Sequence, residues 1–311
     1  MKDRTSEYDY AKLIKEEKEH YSKIEITEHL KEGGAHANDS WHYYWQGVAQ
    51  EISKSAFSNM ADYLDRNFGG RHRPIRILSL GSGYCGNEVD WARSLRSSYL
   101  ITCTDINDQL FLRAAEVAER EGLSMEFLAE DLNFIQIEPG RFDLIFAHAI
   151  LHHVINLEHL LDQIVHGLSK DGLLHLVEVV GMNRKLIWDE NERFANALLE
   201  FVPKQITRGL HLTVDFAADG MEGVRQEDVL PLLRERFRPV FEWQHGAFMR
   251  YICTHPELGR YFDPNSEVAR PFLDFLIDGD SSAVRHRVLR PLEIWGVYSP
   301  LRSPSDVAPE R

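Results

Sequence analysis

Cysteine is scarce in this chain, and that scarcity excludes two classes of structure. Cys85, Cys103 and Cys253 make an odd count with no Cys-x-x-Cys pair in 311 residues. Neither a disulfide framework nor a thiolate zinc site is indicated, and reduced thiols agree with a cytoplasmic setting. Long apolar runs are lacking too. The most apolar, Gly172 to Met182, is interrupted by His175 and Glu178 and falls far short of the ~20 residues that span a bilayer. The first residues, Met1-Lys-Asp-Arg-Thr-Ser-Glu, carry charge where a signal peptide needs an apolar stretch. A soluble, intracellular protein without membrane partners is expected. Positive charge is in deficit: 35 Lys and Arg against 49 Asp and Glu leave −14, and no basic run of five occurs. Sequence-independent nucleic-acid binding needs cations for the phosphates and is not expected. The densest basic cluster, Arg71-His-Arg73-Pro-Ile-Arg76, reads as a solvated loop.

What is present is the composition of a folded domain, 43 % hydrophobic and 27 % charged, with length enough for a substantial core. Residues 5–31 read as a charged helix ended by Gly33 and Gly34. Trp41, Tyr44, Trp45, Val48, Ile52, Ala56, Met60, Leu64 and Phe68 recur at steps of three and four, one apolar stripe on a helical period. From Pro74 the pattern alternates. Strands are predicted at 75–80, 99–104, 125–129, 142–147 and 173–180, with helices around 87–95, 107–121 and 157–168 and a turn at Lys170-Asp-Gly172. Strands separated by helical crossovers imply an α/β fold, a doubly wound and mostly parallel sheet. Beyond Gly181 helices are predicted at 187–201 and 225–237 and strands at 240–243 and 293–298. The forty-odd residues between those strands, partly helical at 269–277, read as an insertion that forms a lid or pocket wall. The expected organisation is an N-terminal helical cap (1–70), a nucleotide-binding core (71–185), and a C-terminal part (186–311) with cap helices, a closing hairpin and the lid insertion.

The first strand runs into Gly81-Ser-Gly83-Tyr-Cys-Gly86, a G-x-G-x-x-G at a strand-to-helix junction. Glycine serves where backbone turns sharply and approaches a ligand. Asp105 ends the next strand 24 residues after Gly81, the kind of separation at which an acid reaches ribose hydroxyls. Nicotinamide dinucleotides and S-adenosylmethionine share this geometry. A short-chain dehydrogenase would need Tyr-x-x-x-Lys after the fourth strand; Tyr8 and Lys12 have that spacing but precede the glycine turn.

The ordered set of the glycine turn, Asp105, Glu130-Asp131-Leu132-Asn133, Phe142-Asp-Leu-Ile-Phe-Ala-His148-Ala-Ile-Leu-His152-His153-Val154 and Leu168-Ser-Lys-Asp-Gly-Leu173 resembles the class I S-adenosylmethionine-dependent methyltransferases. The Leu-His-His stretch resembles their small-molecule branch. The likeness covers residues 75–181 well and 238–299 loosely, as the antiparallel hairpin that closes the family's Rossmann-like sheet. It implies that Gly81, Ser82 and Gly83 approach the methionine part of the cofactor and that Asp105 holds the ribose. Ile106 would pack beside the adenine, Asp131 and the Leu132 backbone would read it, and His148 would lie beside the sulfonium. Where the family often has an acid before the glycines, this chain reads Ser79-Leu80.

Histidine titrates near neutrality and is the usual base when a hydroxyl acceptor loses its proton. His153, then His152, are the candidates at the carboxyl edge of the sheet; Glu178 is either a pocket carboxylate or a paired strand residue, and His211 and His245 lie in the regions expected to form the acceptor pocket, each read as a surface residue sooner than a base. His148 and His152 stand four apart, but no third ligand stands near them, so no metal is expected. Base-methylating enzymes resemble one another in an Asp/Asn-Pro-Pro-aromatic turn that is replaced here by Ala147-His-Ala-Ile150. The expectation is methyl transfer to a small molecule, a hydroxyl of a saccharide or secondary metabolite. A catalytically inactive cofactor-binding regulator and a protein or peptide methyltransferase are the alternatives.

Overall fold

The computed structural model of the protein describes residues 3–22, 38–214 and 220–301. The run Ile75–Leu80 forms β1, buried apart from the half-buried Arg76, as a central parallel strand covered on both faces must be. β2 (Tyr99–Asp105) and β4 (Phe142–His148) pair with it in parallel on either side, and β3 (Met125–Ala129) and β5 (Leu168–Val179) extend the parallel set. β6 (Phe237–His245) and β7 (Glu293–Pro300) close the sheet, with β7 antiparallel to both β5 and β6. Among the described residues the seven strands lie in the order β3-β2-β1-β4-β5-β7-β6. The expected α/β, mostly parallel architecture is what the chain adopts.

Helices α1 (Tyr10–Ser22), α2 (Asp39–Ser53) and α3 (Met60–Phe68) precede the sheet. α4 (Gly86–Ser94), α5 (Leu112–Glu121) and α6 (Leu157–Gly167) are its crossovers. α7 (Asp189–Leu199), α8 (Lys204–Thr207), α9 (Val229–Arg236), α10 (Met249–Thr254), α11 (Leu258–Tyr261) and α12 (Arg270–Arg285) follow. Alternation along β1 sorts two cores. Ile75 and Ile77 pack with α3, α4 and α5, whereas Leu78 and Leu80 pack with α6 and α9. A third core joins Trp41, Tyr44 and Val48 of α2 to α7, α10, α11 and α12.

Four local expectations are revised. The stripe from Trp41 to Phe68 is two helices, because Ser53-Lys-Ser-Ala-Phe-Ser-Asn59 is rich in side chains that bond to nearby backbone; Asn59 caps α3 by accepting from the Asp62 N–H at 3.0 Å. The N-terminal helix occupies 10–22, and residues 23–31 lie outside those described. The turn at 170–172 lies within β5, where pairing slips between Phe142 and Leu144. The basic cluster is not merely solvated. Arg73 grips the buried Asp143 carboxylate with two bonds of 2.6 and 2.7 Å, Arg71 adds one at 3.0 Å, and Ser169 and the Arg76 N–H complete the cage. Burial alone would raise the Asp143 pKa, but Arg73 holds it below the usual carboxylate value.

Candidate active site

Leu80 at the end of β1 lies opposite Ala147 of β4. With β2 beyond one and β5 beyond the other, strand order reverses here, at the place where open α/β sheets bind ligands. A cleft of about 300 Å³ opens at this edge. Gly81 and Gly83 form its lip at φ +59° and +51°, a left-handed backbone that side chains disfavour. A Cβ on Gly81 would stand 2.3 Å from Ile150 Cγ1, whereas one on Gly83 would meet nothing within 4 Å. The Gly83 N–H donates to Asp105 Oδ2 at 3.0 Å, and Asn107 N–H to Oδ1 at 2.9 Å. Burial pushes the Asp105 carboxyl above its usual range, against those donors.

Gly81, Gly83, Asp105, Ile106, Asp131, Leu132, His148 and His153 all line the cleft. Ser82 does not, among the wall residues; its N–H donates to the Thr104 carbonyl at 2.8 Å and its Oγ accepts from Thr104 N–H at 3.1 Å, lacing the turn to β2. Asp131 is already engaged. Its Oδ2 accepts from Tyr10 Oη at 2.5 Å and its Oδ1 from Asn133 N–H at 2.9 Å. Near the position where the family's strand acid is replaced by Ser79, Glu88 reaches in from α4, its Oε1 accepting from Ser79 Oγ at 2.6 Å. Burial lifts the Glu88 pKa to about 6.

The two adjacent histidines part company. His152 is absent from the cleft wall and sits between carboxylates, with Nδ1 2.5 Å from Glu178 Oε1 and Nε2 3.3 Å from Glu222 Oε1. Burial opposes charge on this ring, but the Glu178 carboxylate, then Glu222, outweigh it and push its pKa up to about 10. Glu178 also accepts from the N–H groups of Ile150 and Leu151 at 3.1 and 2.7 Å, which fixes the loop after β4. His153 faces the cleft with Nδ1 2.8 Å from Glu17 Oε1 and Nε2 3.3 Å from Glu222 Oε2.

A second, smaller chamber of about 60 Å³ shares His148 and Ala149 with the cleft. Trp45, Glu178, His245, Arg250, Glu293 and Trp295 are among its walls. Here the structure departs from expectation: His245 is buried, stacked 4.1 Å from Trp243, and burial draws its pKa below 6.5. His211, by contrast, is exposed near Glu200. His148, exposed at the end of β4, opens onto both chambers; desolvation by the surrounding protein keeps its pKa below 6.5 too, and its Nδ1 is 3.2 Å from the Asn87 amide nitrogen. Trp41 belongs to the α2 core, and Trp45 stacks on it at 5.6 Å.

Sequence reasoning missed Glu17, Glu222, Arg250 and Glu293. Glu17 had a signal: Tyr10, Leu13, Ile14 and Glu17 follow the i, i+3, i+4, i+7 pattern, so an acid stands on the apolar face of α1. The other three come from irregular or distant segments with no local pattern.

Residues 77–172 match a family profile described as a methyltransferase domain. That stretch, about a third of the chain, is similar to methyltransferase domains. An uncharacterized protein of Synechococcus sp. is 29 % identical over 203 residues, 64 % of this chain, and the match spans 46 % of that protein's length. A solved S-adenosylmethionine-dependent methyltransferase from Mesorhizobium loti is 13 % identical, covering 79 % of this chain and 99 % of that one at a TM-score of 0.44. Coclaurine N-methyltransferase bound to N-methylheliamine and SAH is 16 % identical, covering 77 % and 69 % at 0.46.

Proposed function

We propose that the chain binds S-adenosylmethionine in the cleft and methylates a small molecule, a hydroxyl of a saccharide or secondary metabolite, whose reacting group enters the adjoining chamber. The observation that carries this reading is the shared wall: His148 and Ala149 line both spaces, so the two ligands would meet there. The residues fit the cofactor. Gly83 has open space where a Cβ would stand, and both oxygens of Asp105 are oriented by backbone donors, each keeping a further lone pair for a ribose hydroxyl. Gly81 and Gly83 would bed the methionine end with Ser82 holding the turn. Asp105 would take the ribose, Ile106, Asp131 and Leu132 the adenine, and His148 the neighbourhood of the sulfonium. When bound, the cofactor supplies a methyl group on a positive sulfur, a strong electrophile. The protein aligns the acceptor, excludes water and removes the hydroxyl proton.

For that proton we favour His148 over His153 and His152. A ring titrating at about 10 has no free lone pair near neutrality, and His153 has carboxylates facing both of its nitrogens. Desolvation disfavours the charged ring of His148; as placed, the Asn87 amide nitrogen donates to Nδ1 at 3.2 Å, so the base role requires the amide to turn its oxygen to Nδ1–H, which leaves the lone pair on Nε2. Turnover against an acceptor panel, followed across pH, tests this. The rate should rise with pH through a value below 6.5 and stay flat above it. His148→Ala should lower it ~10²–10⁴-fold. A rate still climbing towards pH 10 returns the role to His152. Cofactor binding with no turnover on any acceptor marks the chain as a non-catalytic binder.

A further inference from the structure

We propose that His152, His153 and Glu222 form a divalent-cation site, of a chemistry suited to Zn²⁺, at the edge of the cofactor cleft. Along the chain no third ligand stands near the histidine pair; in space Glu222 supplies it, its Oε1 3.3 Å from His152 Nε2 and its Oε2 3.3 Å from His153 Nε2. That separation is longer than a charge-assisted hydrogen bond, which closes to about 2.7–2.9 Å. It is the spacing of two ligands on one ion: with bonds of about 2.0–2.2 Å, 3.3 Å corresponds to a bond angle of roughly 105°. The donor atoms of all three residues lie within 4.8 Å of one another.

The surroundings are those of a metal site. Each ring presents Nδ1 to its own carboxylate, His152 to Glu178 at 2.5 Å and His153 to Glu17 at 2.8 Å. A proton held on Nδ1 directs the Nε2 lone pair to the ion and fixes the ring. Charge points the same way. Glu17, Glu178 and Glu222 bring three negative charges around two imidazoles, an excess that one ring proton does not balance in a largely buried cluster. One divalent cation offsets most of it. Two nitrogens and a carboxylate suit zinc, whereas magnesium and calcium prefer oxygen throughout. Glu222 is partly exposed and His153 borders the cleft, so a fourth position would be open towards that side, as in zinc sites that bind an exchangeable ligand. Binding takes up one Zn²⁺ and releases to the buffer any proton on Nε2.

The test needs no methyl donor and is therefore separate from the reading of the cleft. Chelator-stripped protein is equilibrated with Zn²⁺ alone, dialysed and analysed for metal, and Co²⁺ is added in parallel for its visible spectrum. One zinc per chain and the bands of a low-coordinate cobalt site are expected. Glu222→Gln should abolish both, and Glu17→Gln should weaken zinc about 10- to 100-fold; circular dichroism shows that each variant is folded, and His153→Gln replaces any that is not. Wild-type protein that retains no zinc overturns the proposal. So does zinc held equally well by folded Glu222→Gln or His153→Gln, which assigns the metal to other side chains.

Discussion

Gly81 and Gly83 share a left-handed backbone but not a reason for being glycine. Ile150 occupies the space beside Gly81, whereas the space beside Gly83 is open. Placing a side chain in the left-handed region costs about 1–2 kcal/mol, and Gly81→Ala adds a clash with Ile150. Gly81→Ala should therefore lose more thermal stability than Gly83→Ala. Gly83→Ala should remain folded and lose affinity for the cofactor product, as titration would show; unchanged affinity would mean that no ligand approaches this amide. Residues of this kind were legible in the sequence because their chemistry is local: a glycine turn, then acids at the ends of successive strands. Glu222 and Arg250 were not, since their roles arise only when segments far apart in the chain meet around His152 and Glu293.

Among the elements, the alternating strands and helices of 75–180 could be read because each carries its own period and its own stop. The break between α2 and α3 could not be read from apolar spacing, which runs on unbroken through polar residues that end a helix. The Asp143 cage is a further case: three arginines near one strand look like a surface cluster until β4 sets an acid beside them. Asp143→Asn leaves Arg71 and Arg73, each about a third exposed, with a weakened partner beside β1, and losing a hydrogen bond to a charged group costs about 1.5–3 kcal/mol. Urea denaturation should register a loss of that order, with cofactor affinity in the folded variant unchanged because the cage lies at the opposite end of the sheet. The depressed Asp143 pKa also means that the stability it contributes is present above pH 3.8 and is lost as pH falls below that value.

At the scale of the whole molecule, chain ends that are remote in sequence converge on one edge of the sheet. α1 sends Tyr10 to Asp131 and Glu17 to His153 and the Met221 N–H. The end of β6, helix α10 and the start of β7 bring His245, Arg250 and Glu293 to the other side of His148. The core strands supply the floor of the cleft, and the flanking segments supply its walls. The account rests on the floor holding the nucleoside. Calorimetric titration with S-adenosylhomocysteine measures that directly. One site per chain is expected, weakened by ~1.5–3 kcal/mol in Asp105→Ala, roughly ten- to a hundredfold in affinity. No binding to the wild-type protein, or equal binding to both, would contradict it.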